Sequence, residues 1–143
     1  QESRGLGDVY KRQLEETEDN ELLALSFKGT KENAAGVSLY LSSFLSKNGI
    51  EESRANRIAV AVEEMAANCA ERMEGKKKFA DIDIRIFADK NETIISVRDN
   101  GDEFDPLNDD KEFEMSPLTV VKAISDKVEY SRVLGFNRTI IKL

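Results

Sequence analysis

Apolar residues recur along the chain in two rhythms, one of two residues and one of three to four, and the switches between them mark out the elements. Leu22, Leu23, Ala24, Leu25 and Phe27 make a short apolar run closed by Gly29, which predicts an opening strand over 21–28. Thr30 stands at an N-cap position. Ala34, Val37, Leu41, Phe44 and Leu45 follow at spacings of three and four until Asn48-Gly49, a helix stop, so an amphipathic helix lies between. Glu51 and Glu52 put negative charge at the start of a second helix, whose apolar stripe is Ile58, Val62, Met65, Cys69 and Met73, ending at Gly75. After the basic turn Lys76-Lys77-Lys78, Ile82, Ile84 and Ile86 alternate with Asp81, Asp83 and Arg85, the signature of a strand with one buried face. Asn91-Glu92 marks a turn, and Thr93-Ile94-Ile95-Ser96-Val97 is the β-branched return strand of a hairpin. Residues 100–115 are polar and acidic and read as a loop. A short helix over 118–124, with Ser116-Pro117 at its start, precedes strands over 128–134 and 138–143 joined by a turn at Gly135. This order predicts an α+β fold: a two-layer α/β sandwich, its mixed, mostly antiparallel sheet covered on one face by about three helices.

The 143 residues suit one core of ordinary size. Segment 1–13 has no initiating Met, no signal-peptide pattern and no apolar periodicity. Its Asp8-Val9-Tyr10-Lys11-Arg12-Gln13 also matches a translated transposon end of the kind used in sequencing libraries, so 1–13 is expected to be non-native and 14–143 to be the single domain. A net charge of −7 argues against general contact with nucleic-acid phosphates, and no apolar run is long enough to span a membrane. The expected location is the cytoplasm. With no histidine and only Cys69, imidazole catalysis, zinc sites with His ligands and an internal disulfide are excluded. Chemistry must rest on carboxylates, amides, hydroxyls and backbone groups. Cys69, inside the stripe between Met65 and Met73, is assigned to packing.

Two features carry candidate chemistry. Glu64 and Asn68 are four apart on the second helix, beside the small residues Ala61 and Ala67, so a carboxylate and a carboxamide share one face at the edge of the buried stripe. Such a pair can bind a hydrated Mg²⁺ and accept a proton, or simply make local hydrogen bonds. Asp99-Asn100-Gly101-Asp102-Glu103-Phe104-Asp105-Pro106 lies where a strand runs out into the long loop, a usual place for ligands and equally the composition of an acidic turn. The spacing of the acidic loop does not match a calcium-binding loop.

In this order, Glu-x-x-x-Asn on a helix, a hairpin, and Asp-x-Gly-x-x-Phe-Asp-Pro at the strand end, the chain resembles the GHKL ATPases, above all the anti-sigma factor serine/threonine kinases. The resemblance runs from about residue 22 to residue 143, and Gly49-Ile50-Glu51-Glu52 and Asn137-Arg138 also look like that branch. It implies ATP and Mg²⁺ as cofactors, with Glu64 as general base, Asn68 as the Mg²⁺ ligand bridging to the phosphates, and Asp99 accepting a hydrogen bond from the adenine amino group. Gly101 then lets the base pack against the backbone, and Thr139 supplies a supporting hydroxyl from the last strand, with Asn137 competing for that place. The implied activity is phosphorylation or sequestration of a protein partner of the sigma-factor or anti-anti-sigma kind, with a homodimer also in keeping. Three departures stand out. Glu103 replaces a glycine of the first glycine box; the second box, expected near Met115-Ser116-Pro117-Leu118, has no glycine; and Arg72 stands where many relatives have histidine. The departures keep an alternative open: a degenerate module that acts by protein contact alone.

Overall fold

A computed structural model describes residues 21–108 and 117–143. The segment expected to be non-native, and Met115 and Ser116 of the expected glycine-box stretch, lie outside these residues. The elements are β1 (Glu21–Lys28), α1 (Lys31–Lys47), α2 (Glu52–Arg72), β2 (Asp81–Ala88), β3 (Thr93–Asp99), a 3-10 turn (Pro106–Asn108), α3 (Pro117–Ile124), β4 (Lys127–Val133) and β5 (Phe136–Lys142).

Local chemistry sets the boundaries. Thr30 has an extended backbone and its hydroxyl oxygen accepts the Asn33 N–H at 3.0 Å, which caps α1. At the other end Gly49 takes a φ of +82°, the Ile50 N–H reaches Leu45 O at 3.0 Å and the Gly49 N–H reaches Ser46 O at 3.2 Å. That is a Schellman stop, with Ile50 packed against the core. Between β4 and β5, Leu134 and Gly135 both have positive φ, 51° and 83°, so the hairpin closes on a two-residue turn and β5 starts at Phe136, earlier than its apolar run.

The sheet runs β1-β2-β3-β5-β4, and every neighbouring pair is antiparallel, so the expected mixed sheet is antiparallel throughout among the described residues. The three helices cover one face, with α2 packed between α1 and α3. Leu41, Leu45, Ile58, Val62, Ile84, Ile86, Ile95, Leu118, Val121 and Ile141 are fully buried there, each contributing on the order of 2 kcal/mol of burial. Ala55, Ala59 and Ala66 are small enough for α2 to lie close against its neighbours. A second small cluster of Phe87, Ile94 and Ile140 sits on the opposite face, which is why Ile94 and Ile95 are apolar in succession. No helix among the described residues is long and apolar enough to cross a membrane.

Candidate functional site

Strand alternation turns Ile95, Val97 and Asp99 toward the helices, so β3 ends by placing a carboxylate on the covered face. Asp99 is only 4% exposed. A charge so placed costs several kcal/mol unless it is paired and hydrogen-bonded. Here Oδ1 accepts the Gly101 N–H at 2.9 Å and Asn137 Nδ2 at 2.9 Å, while Oδ2 faces Arg72 Nη2 at 3.4 Å. One oxygen is thus held by two donors and the other faces the Arg72 guanidinium.

The register between β3 and β5 sets Asn137 directly opposite Asp99. Asn137 is 2% exposed and uses its whole amide: Nδ2 donates to Asp99 Oδ1 and to Asp102 O at 2.8 Å, and Oδ1 accepts from the Phe104 N–H at 3.1 Å, Tyr130 Oη at 2.7 Å and Arg132 Nη1 at 3.0 Å. Arg132 Nη1 also donates to Gly101 O at 3.1 Å. One side chain therefore clamps β3, β4 and the start of the acidic loop together. Burial, and next the charge of Glu103, hold the Tyr130 phenol above its ordinary range, which keeps its proton on the oxygen as the donor to Asn137.

Gly101 fits by close approach. A Cβ there would stand 3.1 Å from Asp99 Oδ1, 3.3 Å from Met73 Sδ and 3.5 Å from Ala80 Cβ, so any side chain would press on the carboxylate.

From above, α2 presents Glu64, Asn68 and Arg72 as a column one helical turn apart. Arg72 joins the column to the strand end: Nε donates to Asn68 Oδ1 at 2.9 Å, Nη1 to Asp102 O at 3.1 Å and Nη2 to Asp99 Oδ2. Its Cζ lies 4.7 Å from the centre of the Phe104 ring, a cation–π distance. Glu64, one turn toward the helix start, is half-buried, and among the described residues no hydrogen bond or ion pair reaches its carboxylate. Burial, and next the neighbouring Glu63 charge, raise its pKa above the ordinary 4.5.

The structure therefore brings Asn68, Asp99 and Gly101 into one cluster and leaves Glu64 one turn away. Thr139 is buried on the same face of β5, opposite Val97, but no side-chain hydrogen bond links it to Asp99. Asn137 is the β5 side chain that donates to Asp99. Arg72 was visible in the sequence only as a replaced histidine, and its place at the centre of the cluster was not. Tyr130 and Arg132 carried no signal except their alternation along β4. Cys69 is buried, and burial first, then the Asp99 charge, push its thiol up to about 12 against a smaller opposing effect of Arg72, consistent with packing. Glu103 is exposed, and Lys76 pairs with the neighbouring Asp102 at 3.0 Å. Pro117 opens α3, and Leu118 is buried in the core.

In chemical terms the cluster offers a buried carboxylate oxygen for an N–H donor, a carboxamide oxygen of the hard type that suits Mg²⁺, and a raised carboxylate as proton acceptor. Among the described residues no group of three or more acidic or thiol side chains is gathered for a metal, so a cation here would need oxygens from its ligand. No curated protein sequence matches the chain. Among solved structures, a chain in the crystal structure of the SiaB–SiaC complex from Pseudomonas aeruginosa is similar in fold at a TM-score of 0.57 and 11% identity, covering 99% of this chain and 97% of that one. The family model described as the histidine kinase-like ATPase domain matches residues 27–143. With the match spanning α1 through β5 and the whole Asp99 cluster, the chain belongs to the histidine kinase-like ATPase domain family.

Proposed function

We propose that this domain is an ATP-binding regulatory module that acts on a protein partner. The observation that carries the reading is Asp99: a buried carboxylate at a strand end, oriented by Gly101 and Asn137, with its other oxygen 3.4 Å from Arg72, in a family of ATPase-like domains. In this reading Asp99 Oδ2 accepts the adenine amino N–H, and Gly101, whose N–H holds Oδ1, keeps the carboxylate turned toward the base. Asn68 Oδ1 is the protein oxygen for Mg²⁺, whose role when bound is to neutralise charge on the phosphates. Glu64 takes the proton from an attacking serine or threonine hydroxyl, and its raised pKa supports that role. Thr139 lines the covered face beside Asp99 and contributes packing. That a similar fold is seen in a protein–protein complex supports a protein as the partner.

A second reading, a non-catalytic module acting by protein contact, has one observation in its favour: Arg72 occupies both Asn68 Oδ1 and Asp99 Oδ2. Calorimetry with Mg-ATP and Mg-ADP separates the two. Micromolar binding that Asp99→Asn abolishes supports the nucleotide reading, whereas no heat from either nucleotide with the folded protein leaves the contact-only module.

A further inference from the structure

Arg72 does more than replace another residue. Its guanidinium is planar, carries N–H donors on its edge, lies over the Phe104 ring at 4.7 Å and points Nη2 at the one oxygen of Asp99 that no fixed donor holds. A purine with an exocyclic amino group presents the same features: a flat face for an aromatic ring and an N–H for a carboxylate. The two cannot both occupy Asp99 Oδ2. The same side chain also covers Asn68 Oδ1 and Asp102 O, so its hold extends from the base end of the cluster to the residue proposed for Mg²⁺.

We propose that Arg72 is an internal occupant of the base pocket and that an adenine nucleotide binds only as this guanidinium leaves. The inference rests on the nucleotide reading given above and adds a regulatory feature to it: the resting site is closed by the protein's own cation. The geometry favours a displaceable occupant over a permanent structural ion pair. The Arg72–Asp99 contact, at 3.4 Å, is long for a charge-assisted hydrogen bond, while Asp99 keeps two shorter bonds from Gly101 and Asn137 when Arg72 is gone. The Arg72 side chain is 15% exposed, so its charged end has a route to water.

The test is Mg-ADP calorimetry on the wild-type protein, Arg72→Ala, Arg72→Lys and the double variant Arg72→Ala/Asp99→Asn, with thermal melts of each. Arg72→Ala is expected to bind at least about tenfold more tightly than wild type, because the nucleotide no longer displaces several hydrogen bonds of a charged group. The double variant should lose that gain. Arg72→Lys, which keeps the charge but cannot reach Asn68, Asp102 and Asp99 together, should gain less and serves if the alanine variant fails to fold. Without nucleotide the Arg72→Ala melting temperature should lie below that of wild type, and saturating Mg-ADP should raise it by more than it raises wild type. Equal or weaker binding by both folded variants, with wild type binding, overturns the internal-occupant inference and leaves the nucleotide reading in place. No binding by any folded protein overturns both.

Discussion

Replacing Asn137 by alanine tests the polar cluster where its accounting is most complete. The amide of Asn137, at 2% exposure, makes five hydrogen bonds, and truncation removes them all. Asp99 loses one of its two fixed donors, while the Phe104 N–H, the Tyr130 hydroxyl and Asp102 O lose a partner. A buried group left unsatisfied costs ~1–3 kcal/mol, but water entering the space of the lost amide will serve the more exposed partners, so about 3 kcal/mol in total is expected. That is a large share of the ~5–15 kcal/mol that stabilises a typical domain. Thr139→Val is the internal control, since Thr139 is equally buried on the same strand but makes no side-chain hydrogen bond to Asp99, and it should cost less than about 1 kcal/mol. Urea denaturation followed by circular dichroism reads both. A loss under about 1 kcal/mol for Asn137→Ala, or a larger loss for Thr139→Val, would refute the assignment of Asn137 as the residue that holds Asp99.

Other consequences are simpler to check. Leu134 is 93% exposed and carries a φ of 51° in a two-residue turn that favours asparagine, so Leu134→Asn should stabilise the domain by about 0.5–1 kcal/mol, seen as a higher melting temperature; a lower one would count against the turn geometry. The Cys69 thiol, pushed up to about 12 and buried, should resist a thiol reagent at pH 8 in the native protein and react fully in denaturant, whereas rapid native labelling would contradict its burial. Glu64 has a folded-state pKa above its ordinary value of 4.5, so the fold binds that proton more strongly than the unfolded chain does. The stability it contributes is therefore full below about pH 4.5 and is lost as pH rises through the folded pKa. Glu64→Gln should thus melt at or above the wild-type temperature at pH 7, with the difference vanishing near pH 4, and a variant less stable at pH 7 would reverse the sign.

The fold was legible because local and global signals agree. The threefold and fourfold spacing of α1 and α2, the alternation of Ile82, Ile84 and Ile86, and the Asn48-Gly49 stop each have one structural solution, and the structure adopts it. What was not legible depends on register and side-chain reach. Nothing local tells that Asn137 rather than Thr139 faces Asp99; that follows from the β3–β5 pairing, which the two-residue turn at Leu134-Gly135 helps to set. Likewise Arg72 reads as one more cation at a helix C-terminus until β3 and the loop at Asp102 are brought beneath it. The Phe87, Ile94 and Ile140 cluster was hidden in a run of consecutive apolar residues whose two faces only the sheet separates.

The central claim is that the nucleotide site lies at Asp99, beneath α2, and the most direct measurement is a ¹H–¹⁵N NMR titration with Mg-ADP of the wild-type protein and Arg72→Ala. Saturable shifts of the Gly101 and Phe104 amides and of the Asn68 side-chain amide, reached at lower nucleotide concentration in Arg72→Ala, are the predicted result. Shifts centred instead on the open face of the sheet around Ser96 and Arg98, or none in either protein, would contradict it.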